Sequence, residues 1–453
     1  MAVRSSGLMR SSASRHSTQW WVARSTQNAF WLRKPSNGRC STRAPAASAM
    51  ATVASVDCES TTTISSQKAS EARQSPMRPA SLNAIMQAEM RGRSMGAVVE
   101  DMMAGYLLFA TERYALPILA PLVQALHASG QEVAAWFEDG AAGSQLPGVP
   151  NIGLKQALAM RPRAVFSAAN WVPTFLSGAK VQLFHGFNVE KRDSARGHFR
   201  VRGMFDLYCT QGPATTAPFR EIAAVQGHFA VAETGWPKLD PLFRDDGGDS
   251  AALRSAAGGR PVILFGSTFT ERLSAAPHLH AQIAADIAAG PHYWLLTLHP
   301  KCPPELFERY RALAGANARF IEPEQVMAAQ RAADVLVSDT SSIVSEFIVQ
   351  HKPVVTFRNR VPKPHMIDFD DPQQLPAMLA RALHPDAALQ AEIVRYADAI
   401  HPYRDGLSSE RVIAATEDFL SGEMGVLRRK PFGSWVRDLQ IRKDLGYWGP
   451  SQR

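Results

Sequence analysis

The feature that most constrains the fold is a regular alternation, from residue 105 onward, of short apolar runs with segments of helical length. The runs are almost continuously apolar, which is typical of strands that are buried on both faces of a parallel sheet. The first series of predicted strands covers residues 106–110, 132–137, 164–167, 180–184, 207–210 and 228–233, with a helix at 116–128. This part of the chain therefore predicts an α/β domain.

A second series follows a polar, Gly-rich break at residues 245–259. Its predicted strands cover 261–266, 293–298, 319–321, 335–338 and 353–357; its helices cover 304–313, 324–332 and 341–350, and further helices are predicted at 372–383, 386–400 and 409–419. Two doubly wound, Rossmann-like domains joined near residue 250 explain this pattern economically. The predicted divisions are a leader at 1–80, an N-terminal domain at 104–245, a C-terminal domain at 258–385, closing helices at 386–421 and a tail at 422–453.

The positive charge of the chain is concentrated in its leader. The net charge is +8, and residues 1–80 contain 11 Lys/Arg against 3 Asp/Glu, whereas the remainder contains 38 residues of each sign. The leader is Ser-rich and has no hydrophobic period, so we expect it to be disordered, with a short helix following at 82–103. A transit peptide, a nucleic-acid-binding arm and an extension upstream of a start at Met77, Met86 or Met90 remain open. We assign the leader no function and expect no nucleic-acid partner.

Two classes of protein are disfavoured by the sequence. The longest apolar candidate for a membrane span, residues 106–126, is interrupted by Glu112, Arg113 and two prolines. The four cysteines show no CxxC spacing and no Cys/His pairing, which argues against a zinc module or a disulfide framework; they are Cys40, Cys58, Cys209 and Cys302. We therefore expect a reducing, cytoplasmic location, no cofactor and no catalytic metal.

The first candidate functional loop follows the predicted strand at 180–184. It reads His185-Gly186-Phe187-Asn188 and is followed by a basic stretch that contains Lys191. A histidine at a strand end beside a glycine leaves room for a ligand, and its pKa near neutrality suits abstraction of a hydroxyl proton. The alternative is a structural histidine that is hydrogen-bonded to a nearby carbonyl.

Two further loops also follow predicted strands. Thr234-Gly235-Trp236-Pro237-Lys238-Leu239-Asp240 is a turn in which Lys238 and Asp240 are expected to face a cleft between the domains, unless the segment is a plain connector. Leu298-His299-Pro300-Lys301 offers an imidazole and an ammonium group that would neutralise a phosphate, although a His-Pro pair at a strand end is often only a turn.

The fourth loop, at residues 334–347, is the most specific. A strand ends at Ser338, and we predict that Ser341 or Ser342 caps the helix that follows. The free N–H groups and the dipole of that helix would bind a pyrophosphate. Glu346 would accept hydrogen bonds from ribose hydroxyls, or else it is an ordinary acidic residue in the first turns of a helix.

The motifs occur in an order that resembles a known family. His-Gly-x(4)-Lys, Gly-x-Pro-Lys-x-Asp, a strand ending in Ser-Thr-Phe, His-Pro, and Ala-Asp-Val-Leu-Val-Ser-Asp-Thr-Ser-Ser before Lys-Pro-Val-Val are similar to the CDP-glycerol glycerophosphotransferases of teichoic-acid-type polymer synthesis. The resemblance covers roughly residues 180–360. Phe187 and Thr340 depart from the family pattern, in which a small hydroxylic residue and Tyr are usual, so the CDP-linked polyol stays open.

The resemblance implies a GT-B fold, in which the first domain holds the acceptor and the second holds the nucleotide donor across a cleft. It also implies transfer of glycerol phosphate from CDP-glycerol to the hydroxyl of a polymer or lipid-linked acceptor, with release of CMP. By this analogy His185 is the general base and His299 binds or polarises the donor phosphates. The remaining implied phosphate contacts are Ser341 and Ser342, with Thr268 and Lys191 as secondary ones.

Two other functions stay open at this stage. A nucleotide-sugar glycosyltransferase or 2-epimerase would use the same fold but would release a UDP-type nucleotide. An inactive nucleotide-binding partner of an assembly would bind without turnover. Fold-level analogy alone does not separate these functions.

The tail combines basic and aromatic residues from Leu427 onward. This composition suits the headgroup zone of an anionic leaflet on the cytoplasmic face of a membrane, where a lipid-linked acceptor would lie. Docking of the aromatic side chains on the protein surface is an equal alternative. The residues concerned are Arg428, Arg429, Lys430, Phe432, Trp435, Arg437, Arg442, Lys443, Tyr447 and Trp448.

Overall fold

The computed structural model describes residues 105–187, 199–431 and 434–452, which lie within one compact unit. The predicted leader, the predicted helix at 82–103 and Lys191 lie outside the described residues. The predicted α/β fold is confirmed: two parallel sheets with flanking helices face each other across a cleft. The domain boundaries stay a prediction.

The first sheet contains six parallel strands in the order β2-β1-β3-β4-β5-β6. Its strands are β1 (Tyr106–Ala110), β2 (Val133–Phe137), β3 (Ala164–Ser167), β4 (Ala179–Leu183), β5 (Leu207–Thr210) and β6 (Ala230–Glu233). Strands β1, β3, β4 and β5 are buried at every residue and β2 at all but Phe137, which is typical of strands covered on both faces, although β4 includes the polar Lys180 and Gln182. The strand order reverses between β1 and β3, and such reversals place ligands at the carboxyl ends of the strands.

The second sheet also has six parallel strands, in the order β12-β11-β10-β7-β8-β9. Its strands are β7 (Val262–Ser267), β8 (Tyr293–Leu298), β9 (Ala318–Phe320), β10 (Val335–Ser338), β11 (Val354–Phe357) and β12 (Ile367–Phe369). The order reverses between β7 and β10, so the loop after Ser338 lies at the expected ligand-binding point.

The helices follow the predicted rhythm, with short 3₁₀ turns between them. They are α1 (Leu116–Ala128), α2 (Leu154–Met160), α3 (Pro213–Gln226), α4 (Asp240–Phe243), α5 (Asp249–Ala256), α6 (Ala276–Ala289), α7 (Pro304–Arg311), α8 (Val326–Ala332), α9 (Ile343–Ile348), α10 (Leu375–Leu383), α11 (Ala387–Ile400), α12 (Ser408–Ser421) and α13 (Ser434–Asp444). The 3₁₀ turns are Arg113–Ala115, Asp139–Ala141, Pro237–Leu239, Glu271–Leu273, Pro323–Gln325 and Pro372–Gln374.

The closing helices return from the second sheet to the first. Helix α11 packs against α3, and α12 packs against α1 and against β4, β5 and β6. Glu417 of α12 accepts a hydrogen bond from the Tyr106 hydroxyl and forms an ion pair with Arg163 at 2.6 Å. The cover of the first sheet therefore comes from residues that follow the second sheet in the chain.

Helices α2, α3, α4 and α6 had no predicted bounds, and three further elements differ from the sequence expectation. Part of the predicted break at 245–259 is helix α5, whose Leu253 is buried. The strand β12 was not predicted because it is only three residues long and has Asp368 between its two apolar residues. The tail contains helix α13, which docks on the first sheet through buried Ile441 and Arg442. Among the described residues, no helix has the length and apolar character needed to cross a membrane.

Candidate functional site

A cleft of about 570 Å³ opens where loops of the two sheets meet, a size typical of small-molecule sites. The first sheet and its loops contribute His185, Gly186, Phe187, Ala214 and Trp236. The second sheet and the closing helices contribute Thr340, Ser341, Ser342, Val344, Ser345, Glu346, Asn359, Arg360, Val361, Lys363, His365, Met366, Tyr396, Ala399 and Ile400.

His185 follows β4 and faces this cleft. Its Nδ1 lies 3.2 Å from the Ala168 carbonyl oxygen, which only accepts hydrogen bonds, so Nδ1 carries the proton and Nε2 keeps its lone pair. The surrounding protein lowers the pKa of His185 by partial burial; the bond to Ala168 opposes this change, and the charge of Arg202 adds to it. The imidazole is therefore neutral near pH 7, which is the form that a general base requires. A hydrogen bond to a nearby carbonyl was the mark expected of a purely structural histidine. In this structure the bond to Ala168 orients a ring that also faces the cleft.

The residues after His185 fix the floor of the cleft. A Cβ added to Gly186 would meet no atom within 4 Å, so this position opens onto free space. Phe187 is buried, and its ring centroid lies 4.9 Å from that of Trp236. The Trp236 indole donates to the Phe184 carbonyl at 2.7 Å, which ties the turn after β6 to the end of β4.

Lys238 and Asp240, the two residues of the turn after β6 that were predicted to face the cleft, lie in different surroundings. Lys238 Nζ lies 2.6 Å from Oε1 of Glu346, a residue of the cleft wall, so an ion pair links the two sheets. The prediction for Asp240 is wrong. Its carboxylate is buried and accepts bonds from the Ser408 and Ser409 amides at 2.8 Å and from the Ser409 hydroxyl at 2.6 Å. Asp240 therefore fixes the start of α12 and lies away from the cleft.

Ser341 and Ser342 line the cleft, but neither caps the helix, so the predicted cap is wrong. Helix α9 begins at Ile343, and Ser342 already has helical angles and makes no side-chain cap bond. The loop is held instead by Asp339, whose carboxylate accepts hydrogen bonds from the Ser267 hydroxyl (2.6 Å) and the Ala275 amide (2.9 Å). Within the described part of the chain, both serine hydroxyls lack a hydrogen-bond partner, which leaves them available to a ligand.

A basic loop after β11, residues 358–366, is a part of the site that sequence reasoning missed. Arg360 and Lys363 line the cleft, and the Arg360 amide donates to the Thr340 hydroxyl at 2.9 Å, which joins this loop to the serine loop. The signal was present, because a run of cations among prolines follows a buried strand at its carboxyl end.

His365 and Tyr396 form an aromatic patch on the same wall. Their rings stack with centroids 3.6 Å apart, and His365 is buried. Burial, together with the charges of Lys363 and Arg395, lowers the pKa of His365 to about 4, so the imidazole is neutral. Its Nε2 is buried and finds no hydrogen-bond partner among the described residues. The patch is therefore a mainly apolar part of the cleft wall.

His299 and Thr268 lie at the carboxyl edge of the second sheet, outside the cleft lining. His299 Nδ1 accepts the Lys301 amide at 3.1 Å, so Nε2 is the protonated nitrogen of the neutral ring. Partial burial and the nearby Lys301 lower the pKa of His299. The structure therefore brings His185, Gly186, Ser341, Ser342 and Glu346 together, and leaves His299 and Thr268 beside the cavity. Within the described ranges, no cluster of His, Cys, Asp and Glu is arranged to hold a metal ion.

Comparison with known proteins identifies the segment that carries this site. Residues 185–363 match the model of a family described as CDP-Glycerol:Poly(glycerophosphate) glycerophosphotransferase. The predicted family resemblance is confirmed. The match indicates a glycerophosphotransferase enzyme. No curated protein matches the chain.

Solved structures show the same fold at low identity. A structure of the wall teichoic acid polymerase TagF is 14% identical, with a TM-score of 0.54, and the alignment covers 76% of this chain and 94% of that one. A putative UDP-N-acetylglucosamine 2-epimerase from Listeria monocytogenes is also 14% identical, with a TM-score of 0.51 and coverage of 72% and 98%. These likenesses establish the GT-B fold of the described chain.

Proposed function

We propose that the protein transfers glycerol phosphate, or a related polyol phosphate, from a CDP-linked donor to a hydroxyl acceptor and releases CMP. The acceptor belongs to the synthesis of a cell-surface polymer or glycolipid. The observation that carries the proposal is the pairing, across one cleft, of a neutral His185 with a wall that presents the Ser341 and Ser342 hydroxyls and the cations Arg360 and Lys363. The matched segment, residues 185–363, includes residues of both walls.

In the proposed reaction Nε2 of His185 takes the proton of the acceptor hydroxyl. The hydroxyl oxygen forms a bond to the donor phosphorus that bears the glycerol, and the bond from that phosphorus to the bridging oxygen breaks, so CMP leaves with that oxygen. Arg360 and Lys363 neutralise the phosphates, and Ser341 and Ser342 donate hydrogen bonds to them. Positioning and charge neutralisation are the main demands of phosphoryl transfer.

The remaining donor contacts are proposed from the same geometry. Glu346 uses one carboxylate oxygen for Lys238, and the other would accept a ribose hydroxyl. The Nε2–H of His299 would donate to a phosphate of a donor that extends beyond the cleft toward β8, and Thr268 and Lys191 would be secondary contacts. The stacked His365 and Tyr396 provide a surface on which a nucleobase would lie.

The first test is a product assay. The protein is incubated separately with CDP-glycerol, CDP-ribitol, UDP-glucose and UDP-N-acetylglucosamine, and the released nucleotides are identified by chromatography, with a His185→Ala variant as a control. CMP formation that depends on His185 is the expected result. Release of UDP, or epimerisation of the sugar, would favour the nucleotide-sugar function. The putative epimerase with a similar fold is the reason for testing this alternative. Nucleotide binding without turnover would indicate the inactive partner.

We also propose a cytoplasmic enzyme that lies peripherally on an anionic membrane surface, through the tail. The docking alternative holds for one side of the tail, because Tyr447 packs on Phe175 at 4.4 Å and Arg442 is buried. The other side exposes apolar and cationic residues, a mixture suited to anionic headgroups. The exposed residues are Arg428, Arg429, Trp435, Val436, Leu439, Lys443 and Trp448.

Point variants test the membrane proposal better than deletion, because deletion would also remove the buried Ile441 and Arg442. Trp435→Ser with Trp448→Ser should reduce sedimentation with phosphatidylglycerol vesicles by several-fold at low salt. Val225→Ser, at an exposed position on α3, is the matched control. Equal sedimentation of parent and double variant would leave docking as the whole role of the tail.

A further inference from the structure

The candidate base lies on a short loop, residues 184–187, that is neither strand nor helix. Strand β4 ends at Leu183, so the parallel ladder supports the chain only up to two residues before His185. Proton transfer depends strongly on geometry, since a displacement of about 1 Å can lower a rate by about 100-fold. The position of the imidazole must therefore be set by contacts from other elements.

Two side-chain donors hold the chain on either side of His185. Trp236 Nε1 donates to the carbonyl of Phe184, the residue before the base, at 2.7 Å. Gln211 Nε2 donates to the carbonyl of Gly186, the residue after the base, at 3.0 Å. Both donor residues are buried, so water competes little for these hydrogen bonds. The two bonds therefore fix the backbone that carries the imidazole.

The two donors belong to elements that are distant in sequence. Gln211 directly follows β5, and Trp236 lies in the turn after β6. The backbone amide of Trp236 donates to Nε2 of the buried His401 at 3.1 Å, and His401 directly follows α11. The closing helices thus hold the turn that in turn holds the loop of the base.

The surroundings of Gln211 favour a role in placing the loop over a role in stability. The Gly186 carbonyl only accepts hydrogen bonds, so the amide nitrogen of Gln211 must face it. This orientation leaves Oε1 of Gln211 buried without a hydrogen-bond partner among the described residues. An unpaired buried acceptor destabilises a folded chain, which offsets the gain from the bond to Gly186. The side chain therefore contributes little net stability.

We propose that Trp236 and Gln211 are positioning residues for the base. By holding the carbonyls on both sides of His185, they keep its Nε2 directed into the cleft. The bond from Nδ1 to the Ala168 carbonyl sets the tautomer and the rotation of the ring, and the two donors set the place of its backbone. The inference rests on the proposed function for the role of His185 as the base.

Steady-state kinetics test the two residues. Trp236→Phe and Gln211→Met each remove one donor and keep an apolar side chain in its place. With CDP-glycerol as donor and a glycerophosphate oligomer as acceptor, kcat should fall by about 10- to 100-fold in each variant, while the KM for CDP-glycerol stays the same. Parent-like kcat in both variants would overturn the proposal.

Trp294→Phe is the matched control. Trp294 is also buried, and its Nε1 donates to Asp286 Oδ2 at 2.7 Å, but it lies in β8 outside the cleft lining. Its kcat should equal that of the parent. Gln211→Met remains informative if Trp236→Phe does not fold, because it removes the unpaired oxygen together with the hydrogen bond, so its melting temperature should stay nearly the same.

A double-variant cycle tests whether the two residues act through His185. In the His185→Ala background, neither change should lower the residual single-turnover rate further, because no base remains to be placed. A merely structural role would lower the rate by the same factor in both backgrounds, and that result would overturn the proposal.

A spectroscopic measurement separates failure of the positioning role from failure of the proposed function. If the parent transfers nothing from CDP-linked polyols, the proposed function fails, and the imidazole ¹⁵N chemical shifts of His185, assigned by comparison with His185→Ala, then decide the positioning role. A single Nδ1–H tautomer in the parent and in Trp294→Phe, with a mixture of tautomers in Trp236→Phe or Gln211→Met, would support it. The parent pattern in both variants, or a mixture in the parent itself, would overturn it.

Discussion

The two walls of the cleft differ in chemistry. The wall from the first sheet offers one imidazole, held neutral by partial burial and aimed by a carbonyl, beside packed aromatic rings. The wall from the second sheet offers hydroxyls, amides and cations on two loops that hydrogen bonds join together. A base works through its lone pair, whereas a pyrophosphate needs many donors, so each wall is suited to a different part of one reaction.

This comparison predicts a division of kinetic effects. Changes to the first wall should lower turnover and spare nucleotide affinity, and changes to the second wall should weaken nucleotide binding. A variant that behaved in the opposite way would break the comparison.

The largest effect is expected at His185. His185→Ala should lower kcat by roughly 100-fold or more, because the acceptor proton loses its base, while the affinity for CMP stays nearly the same. Because the pKa of His185 is lowered, the ring should become protonated, and so stop acting as a base, only at pH values below the ordinary histidine pKa of 6.5. The rate should therefore be level on this limb above that pH and fall on acidification. Turnover close to that of the parent would remove His185 from the mechanism.

The next largest effect is expected on the opposite wall. Arg360→Ala should weaken binding of a CDP-polyol by about 1.5–3 kcal/mol, the range for a hydrogen bond to a charged group, as measured by calorimetric titration. Arg358→Ala is the matched control, because Arg358 lies two residues away, outside the cleft lining, and donates to the Asp370 carbonyl. Equal losses in both variants would indicate a general effect of charge.

Much of this fold can be predicted from local sequence patterns, whereas the site can be predicted only in part. β1, β3, β5, β8, β10 and α1 have the predicted bounds because continuous apolar runs dictate burial. His185 and Ser341 were predicted to function together, since strand ends meet at one edge of each sheet. The partner of Asp240, the start of α12, is distant in sequence, so no local pattern reveals it. The missing cap at Ser342 likewise depends on Asp339 reaching across to β7.

A smaller effect is expected at the two serines. Ser341→Ala with Ser342→Ala should weaken binding of a CDP-polyol by about 1–2 kcal/mol through loss of hydroxyl donors. The melting temperature should stay almost unchanged, because neither hydroxyl caps α9. The same titration provides the measurement, and differential scanning calorimetry provides the control. Unchanged affinity would mean that the pyrophosphate lies elsewhere on the second wall.

The smallest effect is expected at the ion pair that links the walls. Lys238→Met and Glu346→Gln, alone and combined, should reveal a coupling of about 1 kcal/mol in the free energy of unfolding, because both side chains are largely shielded from water. Denaturant unfolding measures it. The exposed pair Arg311–Glu322 is the control and should show little coupling. A coupling of zero for Lys238 and Glu346 would mean that the walls are held by packing alone.

The position of helix α12 in the chain has a consequence for folding during synthesis. Its residues cover β4, β5 and β6 and pair with Tyr106 of β1, yet the ribosome makes them only after the whole second sheet. The first sheet thus waits, incompletely covered, while the second is synthesised, a state in which exposed apolar surface favours aggregation. A chain truncated before Ser408 would carry every strand and still lack the element that completes its first half.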